Sequence, residues 1–546
     1  MTVNLERRRL IVGGALGVGA MLLPFGCSRR THQRLAGFTH NVASGEPGAD
    51  SMLLWTRYVP SPQLDEARLD AEVALGPDFT RVVSGGSVRT GAYRDWTAKL
   101  TVDGLQPRTN YWYRFIASDG GKSPVGRTRT LPVGDTDSFG LGVFSCANLP
   151  VGWFNAYAHA AARDDLDLWL HVGDYIYEYP LAVYGKNDLI AGRNVTPAHG
   201  HEAIELADYR LRLACYRADP DLQKLHQRAP MIALWDDHDS ANDSWEGGAQ
   251  NHQPKSEGDW SIRRAASIQA HRECLPISEE PWKAYHIGTL ATLYRTESRL
   301  LARTRPAYSE LSKAHKASNP EAALRMFRDR IWRDPAATLL GSAQECWLAS
   351  EFERNAAVSR WQIVGMAAIM GRTLMPDSAP SWVRPEAGER VLAGFKRDAR
   401  GSKLGVPMWM DRWDGYPAAR ARLLTSAQRA GADLVILSGD SHNAWAYSLV
   451  ENGQPAGIEF ATHSVTSPGI ERELAAHPND VARAFVTSNP ELVWADTSQR
   501  GYTMLNITPQ RVTGEWLFMK TIQKHSTALT GTHRISAEGG SRKFTT

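Results

Sequence analysis

Four short apolar runs in this 546-residue chain each stop at a residue able to hold a metal ion. Phe144-Ser145 leads into Cys146, and Leu170-His171-Val172-Gly173 leads into Asp174, with Tyr177 three residues on. Leu234-Trp235 leads into Asp236-Asp237-His238-Asp239 and then Asn242, and Ile436-Leu437-Ser438-Gly439 leads into Asp440 and His442. The runs read as strands over 139–145, 166–172, 231–235 and 434–438, with a further strand over 361–370. Helical periodicity covers 153–163 and 206–227. Such alternation predicts an α/β domain around a largely buried sheet, where ligands bind at the carboxyl ends of strands. One Asp after a strand is ordinary turn chemistry. Four metal-capable endings in one domain mark a site.

The donor types suggest two kinds of cation. A thiolate (Cys146), a phenolate (Tyr177) and an imidazole (His442) suit a trivalent or borderline metal. Asp237, Asn242 and Asp440 are oxygen donors, suited to a harder ion such as calcium or magnesium. Asp174 can bridge the two. A cation pair of this kind clamps phosphoryl oxygens and lowers the pKa of bound water. Zinc signatures, a Walker loop and a GxSxG elbow are absent from the sequence.

The flanking segments add context. Glu6-Arg7-Arg8-Arg9 precedes an uncharged stretch to Phe25 that is interrupted by glycines and Pro24, shorter than the ~20 residues of a spanning helix. The layout is that of a cleaved secretory signal over 1–30, and the adjacent arginines resemble the twin-arginine motif that exports folded cargo. Periplasmic or secreted location is expected, with no transmembrane span in the mature protein. Cys27 after Gly26 offers a lipid-anchoring site, which Pro24 and Phe25 fit poorly. The net charge is only +3. Residues 1–30 carry five Arg against one Glu, so the rest is nearly neutral, and no specific nucleic-acid binding is expected. Cys146, Cys215, Cys274 and Cys346 are widely spaced and form no disulfide framework. Residues 36–135 read as a small all-β sandwich, 133–138 as a linker, 139–546 as the catalytic domain, and 255–350 within it as mainly helical.

In order along the chain, VASGEPGADSMLLWTR, FSCAN, HVGDYIYEY, ADYRLRLACYRADPDLQKLH, WDDHDSAND, LGSAQECWL, DRWDGYPAAR, ILSGDSHNAWA and RGYTMLNITP resemble the PhoD-type alkaline phosphatases. That resemblance implies a calcineurin-like metallophosphatase fold behind an N-terminal β domain. It also implies hydrolysis of phosphate esters by in-line attack of a metal-bound hydroxide at an iron(III)–calcium centre. Cys146, Asp174 and Tyr177 would hold the iron, with His442 as a further ligand. Asp174 would bridge to calcium, for which Asp237, Asn242 and Asp440 are candidate ligands beside Asp236 and Asp243. His238 and Asp174 would be catalytic, His238 either protonating the leaving oxygen or orienting a metal-bound carboxylate. The partners would be a phosphate-ester substrate and the twin-arginine export machinery.

Departures from the family pattern at Thr296-Glu297-Ser298-Arg299, Gly365-Met366-Ala367 and Glu491 bear on substrate choice. Other readings are a phosphodiesterase or phospholipase D-like enzyme on the same fold, a non-catalytic cell-surface binding protein, and an iron oxidoreductase, although no flavin or nicotinamide fingerprint is present. Arg210 and Arg217, seven apart on one helix, read as a salt-bridged face rather than a phosphate clamp, and Trp413-Asp414-Gly415-Tyr416 reads as a structural turn.

Overall fold

The computed structural model describes residues 36–545 except 62–63, 182, 186–187 and 194–195. The expected export segment and Cys27 lie outside the described residues. Two sheets carry the chain. The first runs from edge to edge through Leu529–Glu538, Arg511–Met519, Gly501–Ile507, Phe139–Phe144, Leu168–His171, Met231–Ala233, Gly37–Gly45, Met52–Val59 and Thr97–Val102. The second runs through Lys283–Ile287, Ala291–Arg295, Trp361–Gly365, Asp433–Ser438, Gln454–Ala461, Ala444–Glu451 and Leu492–Asp496.

Side chains along the central strands divide by alternation between two cores. Leu141, Val143, Leu168, Leu170 and Ile232 of the first sheet meet Ile363, Val435, Leu437 and Phe460 of the second. Phe144, Trp169, Met231 and Ala233 point the other way, onto helices Asn155–Ala161, Leu206–Arg217 and Trp260–Cys274. Val364, Leu434 and Ile436 likewise pack on Ser342–Asn355 and Pro417–Arg429. Both faces of each strand are therefore buried. That is why these strands read as continuous apolar runs rather than as an apolar–polar alternation.

Residues 36–135 have a core of their own, including Val42, Leu54, Leu69, Val73, Tyr113 and Phe115. Half of that sandwich is the separate sheet Val82–Gly91, Glu66–Ala74, Asn110–Ala117, Gly126–Arg129. Its other half continues the first large sheet through a parallel pairing at Gly45 and Met231. The expected helix over 206–227 is two helices, Leu206–Arg217 and Pro220–Arg228. Pro220 restricts Asp219 to extended backbone, and the Asp219 carboxylate then caps the second helix by accepting from the amides of Asp221 and Leu222. The region 255–350, expected to be mainly helical, also holds the hairpin Lys283–Ile287 and Ala291–Arg295 at one edge of the second sheet. The strand expected over 361–370 ends at Gly365, where 366–371 leave the sheet, held by amides of Met370 and Gly371 donating to buried Glu459. Among the described residues no helix is long and apolar enough to cross a membrane.

Candidate active site

The four strand ends converge. Cys146, Asp174, Asp440 and His442 all have positive φ (57°, 54°, 64° and 64°), a region that non-glycine residues visit seldom and at some cost. These four residues lie two to four positions beyond the strand ends at Phe144, His171 and Ser438. Gly173, at φ 111°, lies so close to the next loop that a Cβ there would collide with the Asp236 Cβ and come within 2.7 Å of the Asp236 amide nitrogen. Asp239 ties the two loops together, accepting from the amides of Tyr175 (3.0 Å), Ile176 (3.2 Å) and Asp236 (2.9 Å).

One donor set is soft. A thiol, a carboxylate and an imidazole from Cys146, Asp174 and His442 have ligand atoms within 4.8 Å of one another. The Tyr177 hydroxyl lies 3.0 Å from Asp174 Oδ2 and 3.1 Å from His442 Nε2, and accepts from Ser467 at 2.6 Å. His442 donates from Nδ1 to the Pro468 carbonyl at 2.7 Å, with the Tyr184 hydroxyl 3.0 Å from the same nitrogen. That bond fixes the tautomer and leaves the Nε2 lone pair facing the cluster. Burial, then the charge of Asp174, raises both the Cys146 thiol and the Tyr177 phenol well above their usual range. Neither ionises there without a cation to stabilise its anion.

The second set is oxygen-rich and adjoins the first through Asp174. Asp174 and Asp237 group with His238, and Asp237 groups again with Asp236 and Asp440 and with Asp243 and Asp411. Among the described residues, Asp236 Oδ2 and Asp237 Oδ1 are buried without a hydrogen-bond partner. Burial opposes the Asp237 charge, but Arg299 and then His238 outweigh it and bring its pKa down to about 2. Orphaned carboxylate oxygens beside a shared aspartate are what a bound cation satisfies. The residues present therefore fit two adjacent cations, one beside Cys146, Asp174 and His442 with the Tyr177 hydroxyl at hand, and one beside Asp237, which groups with Asp174 and His238 and again with Asp236 and Asp440. The side-chain amide nitrogen of Asn242 donates to Gln250 at 3.0 Å, and its backbone amide donates to Glu178 at 2.8 Å.

The His238 ring is tilted 33° against Tyr177 at 4.4 Å between ring centroids, its Nδ1 2.8 Å from Glu178 Oε2. Burial disfavours its charge, but Glu178, then Asp237 and Asp174, raise its pKa well above the usual value. With Nδ1 engaged by Glu178, Nε2 is the ring nitrogen not held by that carboxylate.

Glu178, Tyr184, Arg299 and Asp411 were not singled out as site residues on the sequence. Arg299 has no exposed side-chain surface, pairs with Asp236 and Asp411, and sets its NH2 3.7 Å from Asp237 and Asp440. In the sequence Arg299 closes the Thr296–Arg299 segment that departs from the family pattern, four residues past the strand Ala291–Arg295. Arg210 is bonded to Glu273 at 2.7 Å, whereas Arg217 lies 4.2 Å over the Trp55 ring with its guanidinium nitrogens buried and without a hydrogen-bond partner among the described residues. Trp413–Gly415 is a short 3-10 turn whose Asp414 accepts from the Thr373 amide at 2.9 Å.

Comparison with known proteins agrees with this geometry. Residues 141–516 match the PhoD-like phosphatase family and residues 26–132 match the PhoD-like phosphatase N-terminal domain. Alkaline phosphatase D of Bacillus subtilis (strain 168) is 28% identical over 517 residues, covering 90% of this chain and 79% of that protein. A solved structure of PhoD superposes with a TM-score of 0.75 at 26% identity, over 93% of this chain and 92% of that one. The purple acid phosphatase PPD1 from yellow lupin (Lupinus luteus) seeds shares the fold, with a TM-score of 0.51 at 12% identity over 90% of this chain and 73% of that one.

Proposed function

The chain belongs to the PhoD-like phosphatase family and is a phosphoric ester hydrolase; from that premise we propose that it is an exported enzyme that releases phosphate from organic esters at an iron(III)–calcium centre. The observation that carries the reading is the adjacency of a soft and a hard donor set that share Asp174. Cys146, Asp174, Tyr177 and His442 would hold iron, and Asp174, Asp237, Asn242 and Asp440 would hold calcium. When bound, the two cations supply the charge that neutralises phosphoryl oxygens and makes water a nucleophile near neutral pH.

The chain's own residues do the rest. Glu178 fixes the His238 ring and keeps it protonated, so that Nε2 delivers a proton to the leaving oxygen. Asp239 holds the two aspartate loops in register. Tyr184 and Pro468 orient His442. The proposed division places the β domain at 36–135 and the catalytic domain at 139–546. Export would use the arginine pair at Arg7-Arg8, with the mature protein periplasmic or secreted.

The test is hydrolysis of 4-nitrophenyl phosphate and bis(4-nitrophenyl) phosphate by the metal-loaded protein, before and after a calcium chelator. Activity lost on chelation and restored by calcium is the expected result. The ratio of the two rates assigns the enzyme as monoesterase or diesterase. Full activity after exhaustive chelation rejects the calcium site.

A further inference from the structure

Above the acidic cluster opens a cavity of about 320 Å³, lined among others by Asp243, Tyr308, Trp409, Arg412, Asp440 and His442. Arg412 occupies an unusual position in its wall. Its guanidinium carbon sits 3.6 Å from the Trp409 ring centroid, and its Nε donates to Asp440 Oδ2 at 3.1 Å. The side chain is only 7% exposed, yet NH1 is buried with no partner among the described residues. An unmet donor on a buried cation is costly, and sites built this way recognise an anion.

Arg299 NH2 and Arg303 NH1 are also buried with no hydrogen-bond partner among the described residues, but neither arginine lines the cavity. Arg299 is enclosed by Asp236, Asp237, Asp411 and Asp440, and Arg303 is bonded to Asp411 and to the Tyr416 hydroxyl. Among the described residues Arg412 pairs with one carboxylate, shared with the cluster: Asp440 turns Oδ2 to Arg412 and Oδ1 toward Arg299. The guanidinium thus stands one carboxylate away from where the cations would lie, inside the space a substrate enters. Stacking on Trp409 and anchoring at Nε hold its plane before any ligand arrives, which reduces the ordering cost of binding.

We infer that the Arg412 guanidinium, which lines the cavity, donates to a non-bridging oxygen of the substrate phosphoryl group, with Trp409 as the shelf that fixes its plane. The inference rests on the phosphoesterase reading and deepens it: the ligand is a phosphoryl oxyanion, and inorganic phosphate, the product, takes the same contact.

Arg412→Ala and Trp409→Leu, each in the full metal-loaded chain, test this by calorimetric affinity for inorganic phosphate, by kcat and KM on 4-nitrophenyl phosphate, and by metal content. Loss of one charge-assisted hydrogen bond predicts ~10–100-fold weaker phosphate binding and a comparable drop in kcat/KM for Arg412→Ala, at unchanged metal content. Added guanidinium ion should recover part of the loss. Trp409→Leu keeps the charge but removes the shelf, and should weaken phosphate binding ~3–10-fold without rescue. Wild-type phosphate affinity in both variants overturns the assignment. So does a loss in Arg412→Ala that tracks an equal loss of metal, since Arg412 would then only steady Asp440. A wild-type protein that neither binds phosphate nor hydrolyses esters would instead sink the phosphoesterase reading itself.

Discussion

Gly173→Ala is the most informative single substitution in the scaffold of the site. At φ 111° the backbone of Gly173 lies where an L-residue is strained, which costs roughly 1–3 kcal/mol. The new Cβ would also collide with the Asp236 Cβ and sit within 2.7 Å of the Asp236 amide nitrogen, and forcing that loop away adds about 1–3 kcal/mol of overpacking. The sum is a loss of about 2–6 kcal/mol. The displaced loop carries Asp236 and Asp237, so a shift of ~1 Å there should cost on the order of 100-fold in kcat. Gly104→Ala is the control. Its φ is 76°, and a Cβ there would meet nothing within 4 Å, so only the left-handed penalty of about 1–2 kcal/mol applies, with wild-type kcat. Urea midpoints at unchanged m-value give the stabilities, and 4-nitrophenyl phosphate gives the rates. If the two variants agree within about 0.5 kcal/mol and twofold in kcat, the close approach of the two loops is not what places the aspartates.

Asp174→Asn removes the carboxylate shared by both donor sets, and should lower bound metal and cut kcat by about 1,000-fold or more, measured by elemental analysis and ester hydrolysis. His238→Asn should lower kcat by roughly 100- to 10,000-fold on an alkyl phosphate but far less on 4-nitrophenyl phosphate, whose leaving group needs no proton; equal losses on both esters would reject the acid role. His40 and His271 are buried neutral, their pKa pushed down to about 3 by burial first, and second by Arg57 for His40 and by His171 for His271. Because the unfolded chain takes up protons at about 6.5 and the folded chain does not, their contribution is intact above that pH and erodes as pH falls toward 3. At pH 5 the two together should cost about 4 kcal/mol, and His271→Gln should flatten the fall in urea midpoint between pH 7 and 5. Replacing Arg7-Arg8 by Lys-Lys should retain the protein in the cytoplasm if export follows the twin-arginine route, as read by cell fractionation.

The core strands and the donors at their ends were legible because each signal is local. A strand buried on both faces must be apolar throughout, and its last residue must leave the sheet, so Cys146, Asp174, Asp237 and Asp440 stand out as polar stops after apolar runs. The hairpin Lys283–Ile287 and Ala291–Arg295 did not stand out, since short segments with charged ends between helices carry little periodicity of their own. The break at Pro220 was visible in principle, as the residue before a proline avoids helical backbone.

By itself the sequence determined which residue types could bind cations and in what order the strands would deliver them, because backbone alternation and turn chemistry act over a few residues. Only the tertiary structure decided which charges meet. Arg299 lies 63 positions from Asp236 and 112 from Asp411, Glu178 lies 60 from His238, and the unmet NH1 of Arg412 is defined by groups that do not reach it. Such pairings depend on how two sheets stack and where their strand ends coincide. Coulombic and desolvation energies follow distance and burial in space, which sequence spacing does not encode.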